Sequence, residues 1–205
     1  MFDAALVSYV AIMSITPGPN NLMLAASGVN FGFRRSLPHV MGISAGHAVQ
    51  VALTAALLAY VLAGLGPVRL WLAVAGCLYL LWLSWQIARA GQPASAGRTH
   101  GRPMGFLAAA LFQWLNPKAW VMVINVALLF MPKAGAGHPG LAVALGISCA
   151  LINLPCIAVW ALAGDRLRRR LATPQALWVF NGLMGGLMAA TALWLLFEET
   201  GLWPR

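Results

Sequence analysis

Apolar residues run along this chain in long unbroken blocks rather than in short alternating stretches. Charged side chains punctuate the blocks at 3, 34–35, 69, 89–102, 133, 165–170, 198–199 and 205, and Lys118 alone interrupts one. The intervals left between are 4–33, 36–68, 70–88, 103–132, 134–164 and 171–197. Each is about long enough to cross a ~30 Å hydrocarbon layer at ~1.5 Å of helix rise per residue. Trimmed at glycines and prolines, they predict six transmembrane helices: roughly Ala4–Val29, Val40–Ala63, Val68–Ala88, Phe106–Met131, Leu141–Ala163 and Ala176–Phe197. A β-barrel would need short alternating strands, which these blocks do not provide.

Composition strengthens this picture. A chain of 205 residues that is 61% hydrophobic and 8% charged has more apolar surface than one water-soluble core can hide. Charge adds an orientation, because positive loops near span ends stay in the cytoplasm. One set of loops holds nine cations, Arg34, Arg35, Arg89, Arg98, Arg102, Arg166, Arg168, Arg169 and Arg170. The other set holds three, Arg69, Lys133 and Arg205, beside Asp3, Glu198 and Glu199. Both termini are therefore expected outside a bacterial inner membrane. The net charge of +9 reads as topology and contact with anionic lipid rather than nucleic-acid binding, since no basic soluble domain carries it. Asp3 stands where a signal peptide would be positive, so no cleaved leader is expected.

The chain also resembles itself. `TPGPNN` (Thr16–Asn21) precedes `GISAG` (Gly42–Gly46) in the first half, and `LNPKAW` (Leu115–Trp120) precedes `GISC` (Gly146–Cys149) in the second. The prolines fall in spans one and four and the Gly-Ile-Ser triplets in spans two and five. An odd number of spans per copy inverts the second, so the expected fold is all-α, one transmembrane domain built as a 3+3 inverted repeat. Repeat one covers 1–90, a Gly/Pro/Ser-rich cytoplasmic linker 91–105, and repeat two 106–205.

Pro17, Pro19 and Pro117 lack the amide hydrogens that would bond the carbonyls of Met13, Ile15 and Gln113. Spans one and four should therefore break near mid-membrane and restart near Asn20 and Lys118. Irregular backbone at that depth survives only where protein or a water-filled cavity satisfies it. Restarted half-helices point positive N-terminal ends into such a cavity, a suitable place for a carboxylate. The freed carbonyls near Met13, Ile15 and Gln113 are the expected acceptors for a substrate ammonium.

The string `SITPGPNNLMLAASGVNFGFRRSLPHVMGISAG` (Ser14–Gly46), followed by `LNPKAW`, resembles the LysE/RhtB family of amino-acid exporters. The likeness extends through `GCLYLLWLSWQIA` (Gly76–Ala88) and `WALAGDRLRRRL` (Trp160–Leu171), and it looks most like the cysteine/O-acetylserine exporter branch. The resemblance implies efflux of amino acids or related metabolites driven by the proton gradient. It places Pro17, Gly18, Pro19, Asn20, Asn21, Asn116, Pro117 and Lys118 in the functional region.

The remaining residues fill in the chemistry. Lys118 is the one formal charge inside a span and reads as a ligand for the substrate carboxylate, the other reading being a structural bond to the carbonyls freed at the breaks. Thr16, Ser44, Gln113 and Asn153 are polar groups within spans that could line the cavity, as are Gln50, Asn125, Ser148 and Asn181. His47 is the one imidazole deep in a span and the candidate for proton coupling, with Lys118 as the alternative carrier. Small-residue runs at Gly42–Gly46, Gly182–Gly186 and Ala189–Ala192 suit close helix packing or a homodimer. Two rival functions share this architecture. A thiol-disulfide relay would need paired cysteines, but Cys77, Cys149 and Cys156 do not occupy equivalent places in the halves. A metal-ion exporter would need intramembrane His and carboxylate clusters. No nucleophile or acid-base pair suggests an enzyme, and no cofactor is expected.

Overall fold

The computed structural model describes residues 4–89, 102–131, 139–168 and 173–200, and among these every regular element is helical. In chain order they are α1 (Ala4–Ile15), α2 (Pro19–Phe31), α3 (Phe33–Ala56), α4 (Leu58–Arg89), α5 (Phe106–Phe112), a 3₁₀ turn (Gln113–Leu115), α6 (Pro117–Phe130), α7 (Pro139–Arg168) and α8 (Pro174–Thr200). Most of the linker 91–105 and the segment 132–138 lie outside the described residues.

The prolines act as local chemistry requires. α1 stops at Ile15 and α2 starts with Pro19 in the first helical position, where a missing N–H is harmless. α5 runs into the 3₁₀ turn and the helix restarts as α6 at Pro117 with a bend of 75°. Gly64, Gly66 and Pro67, which suggest an interval between spans two and three, lie instead inside α4, and Leu57 alone separates α3 from α4. Apolar surroundings provide no substitute partners for backbone amides, so isolated glycines do not end a helix there.

By length and composition α7 and the stretch Gln175–Trp194 of α8 are each apolar enough to cross a membrane, and the bent pair Phe106–Leu115 and Pro117–Phe130 passes the same test when its two helices are taken together. The protein is thus a membrane protein. α3 is long but carries Arg34, Arg35, His39, His47 and Gln50, which lower its hydropathy. Burial is inverted relative to a soluble domain: Gln50 and Asn181 are 0% exposed, whereas Trp71 is 73% and Leu107 68% exposed.

α3 packs along α7, α4 along α8, α2 along α7 and α5 along α3. All four of these joints bring backbone against backbone, α8 meeting α4 at Gly185, where a Cβ would lie 2.6 Å from the Ser84 carbonyl oxygen. A Cβ on Gly28 would collide with the carbonyl of Ala161, and one on Gly164 with that of Ala25, so α2 and α7 touch without intervening side chains. Gly42 and Gly46 do the same for α3 against Phe106 and Ala110 of α5, and Gly146 for α7 against Ala48. The joint of α1, α6 and the adjoining parts of α3 and α7 differs, being made of side chains such as Leu6, Val10, Val51, Val123, Val126 and Leu145.

Candidate functional site

Each carbonyl orphaned by Pro17, Pro19 and Pro117 is taken up by a side chain. Thr16 Oγ1 donates to Met13 O at 3.0 Å, replacing the amide that Pro17 lacks. Trp160 Nε1, from α7, donates to Ile15 O at 3.1 Å in place of Pro19. Gln50 Nε2, from α3, donates to Gln113 O at 3.2 Å in place of Pro117. Each of these carbonyls therefore already has a protein donor and does not need the substrate ammonium expected there. Buried carbonyls demand donors, and neighbouring helices supply them first.

The two breaks are joined through Lys118. Its Nζ donates to Thr16 O at 2.9 Å, Thr16 Oγ1 at 2.8 Å and Pro17 O at 3.1 Å. Three acceptors match the three N–H groups of an ammonium, so in this arrangement Lys118 bonds the freed backbone rather than standing open. The approach is close: a Cβ on Gly18 would lie 2.8 Å from Lys118 Cδ, which is why glycine occupies that position. Asn116 accepts from Lys118 N at 3.1 Å and caps α6, whereas no side chain caps the first turn of α2. The positive end of α2 is thus left uncompensated.

Around this junction lies a small cavity of about 40 Å³. α1 contributes Met13 and Ser14, the first break Gly18, α2 Pro19, Asn20 and Asn21, and α3 Ile43 and His47. The second break contributes Gln113 and Asn116, α6 Lys118, Ala119 and Met122, and α7 Asn153 and Ile157. Of the residues selected from the sequence, Gly18, Pro19, Asn20, Asn21, His47, Gln113, Asn116, Lys118 and Asn153 line it together. Thr16 and Pro17 stand behind, holding Lys118. Pro117 opens α6 without lining the cavity. Ser44 is elsewhere, its hydroxyl donating to Ala150 O at 3.0 Å between α3 and α7.

Ser14 is the polar residue that the sequence did not single out. Its carbonyl accepts from Asn21 Nδ2 at 2.7 Å and its hydroxyl from Asn153 Nδ2 at 2.9 Å. A serine in the last turn of an apolar helix ordinarily bonds its own backbone, so nothing local marked it. Its place two residues before the Thr-Pro pair was the one available signal.

The LysE type translocator family matches residues 11–199. The cysteine/O-acetylserine efflux protein of Klebsiella pneumoniae subsp. pneumoniae is 32% identical over 166 residues, covering 81% of this chain and 83% of that protein. The protein of the same name from Salmonella paratyphi A is 33% identical over 171 residues, 82% of this chain and 85% of its own. That of Escherichia coli K12 is 31% identical over 170 residues, 81% and 84%. No solved structure matches. With the family matched over nearly its whole length and around a cavity at two broken helices, this chain belongs to the LysE type translocator family and is a transporter, not an enzyme.

Proposed function

We propose that this protein exports small zwitterionic amino acids, of the size of cysteine, serine, threonine or O-acetylserine, from the cytoplasm across the bacterial inner membrane. The observation that carries the reading is the meeting of both proline breaks at one cavity, bridged by Lys118. The names of the relatives, cysteine/O-acetylserine efflux proteins, supply the substrate class. A cavity of about 40 Å³ holds only a few waters, which favours a small substrate. The carboxylate goes to the uncapped N-terminus of α2 and to Lys118, which exchanges backbone acceptors for it. No carboxylate side chain lines the cavity, so a strongly basic substrate finds no partner there.

Six spans in a 3+3 inverted repeat with both termini outside complete the proposal. The packing supports the repeat: exchanging the halves swaps α1 on α7 for α5 on α3 and α2 on α7 for α6 on α3, while α3 with α7 and α4 with α8 map onto themselves. Proton antiport is the proposed drive, with His47 as carrier, because its Nε2 is buried without a protein partner among the described residues and the residue lines the cavity.

The test is counterflow of radiolabelled amino acids into proteoliposomes, with and without an imposed pH gradient. Lys118→Met should abolish small-amino-acid counterflow while the protein still accumulates in the membrane. Undiminished export by Lys118→Met would leave that residue with only its bonds to the broken helix. Indifference to the pH gradient would remove proton coupling.

A further inference from the structure

Three amide oxygens around the cavity are buried without a protein donor among the described residues: Asn20 Oδ1, Asn21 Oδ1 and Asn153 Oδ1. All three residues line the cavity, and Asn21 and Asn153 are only 3% and 5% exposed. The orientations of Asn20 and Asn21 follow from the bonds of their other halves. Asn21 Nδ2 donates to Ser14 O at 2.7 Å and Thr16 O at 2.8 Å, so turning the amide over would set an oxygen against two carbonyl oxygens. Gln113 Nε2 donates to Ile43 O at 3.4 Å, which turns Gln113 Oε1 toward Asn20 Nδ2 at 3.3 Å and fixes Asn20 as well. Asn153 is held through Nδ2 to the Ser14 hydroxyl at 2.9 Å, so Asn21 and Asn153 hang from the same serine.

Buried acceptors without donors are unfavourable, and several around one cavity call for a donor that can serve them together. A protonated primary amine has three N–H groups. A carboxylate is itself an acceptor and would be repelled. A divalent cation would need carboxylates, which the cavity does not present.

Resting on the amino-acid reading above, we infer that Asn20, Asn21 and Asn153 form the subsite for the substrate's α-ammonium group, so that a free amino group is a condition of transport. This replaces the proline-freed carbonyls, which protein donors already occupy. Deaminated and N-acylated relatives of a substrate are rejected even where the carboxylate and side chain are the same.

The experiment is counterflow of radiolabelled cysteine by the full-length protein in proteoliposomes, kept reduced, with unlabelled competitors. Cysteine should compete, while 3-mercaptopropionate and N-acetylcysteine should be at least ~10-fold weaker, the penalty of leaving a polar subsite unpaired. Asn153→Leu should raise the half-saturating cysteine concentration about 10-fold, the loss of one hydrogen bond to a charged group, and leave competition by 3-mercaptopropionate unmoved. If that variant fails to accumulate, the wild-type competition pattern decides alone. Equal competition by 3-mercaptopropionate with cysteine counterflow intact overturns the subsite but leaves amino-acid export standing. Counterflow that collapses when choline replaces sodium, with deaminated competitors still effective, overturns it too, because the oxygens would then hold an ion. No counterflow of any amino acid overturns both readings.

Discussion

Lys118 Nζ lies 2.8 Å from Oγ1 of Thr16, and this contact joins the two proline breaks. Thr16 follows the last residue of α1, and Lys118 is in the first turn of α6. The hydroxyl is used twice, donating to Met13 O and accepting from Lys118. A break that local sequence creates is thus closed by a residue 102 positions away.

Thr16→Val keeps the shape of the side chain and removes both bonds. It should lower thermal stability in detergent by about 1–3 kcal/mol, on the scale of hydrogen bonds that include a charged donor. An unchanged melting transition would mean that other contacts hold the break.

Glycine positions separate sharply by what faces them. Gly164→Val drives its side chain into the Ala25 carbonyl and should abolish accumulation in the membrane, an overpacking of roughly 3 kcal/mol or more. Gly182→Val has nothing within 4 Å and should accumulate as the wild type does. Immunoblots of membrane fractions distinguish the two, and equal amounts of both would contradict the α2–α7 joint.

Pro117→Ala returns an N–H that competes with Gln50 Nε2 for Gln113 O. The added helical bond straightens the 75° bend and withdraws Gln113 from Asn20, so transport should fall by about 10-fold or more while insertion persists. Pro17→Ala should act similarly at the other break. Transport at wild-type rates in both variants would remove the broken helices from the mechanism.

With both termini outside, a cysteine replacing Arg168 should resist impermeant thiol reagents in intact cells and one replacing Gly137 should react. The reverse pattern inverts the proposed orientation.

What the sequence made legible follows from how local each rule is. Pro17, Pro19 and Pro117 each remove a helical hydrogen bond within a motif that also holds polar residues, and both breaks appear where those motifs lie. The cavity side chains nearest those breaks, Asn20, Asn21, Asn116 and Lys118, were legible for the same reason. The donors that repair the breaks were not. Nothing about Trp160 or Gln50 in their own helices says that Ile15 and Gln113 will need them, because that depends on how α7 and α3 lie against the breaks. Ser44 shows the converse error: a polar residue beside a motif glycine suggested a ligand, yet it serves helix packing. The boundary between spans two and three failed because glycine and proline are weaker helix breakers in apolar surroundings than in water.

The glycine joints make the molecule unevenly stiff. Where α2 meets α7 at Gly28 and Gly164, and α5 meets α3 at Gly42 and Gly46, backbone rests on backbone and no rotamer can yield. Where α1 meets α6, the joint is Leu6, Val10, Val123 and Val126, side chains that can slide and repack. Compliance is therefore concentrated at one end of each broken span. A load applied at the cavity is carried rigidly through α2 and α5 and taken up as displacement in α1 and α6, with Thr16–Gly18 and Asn116 as the pivots.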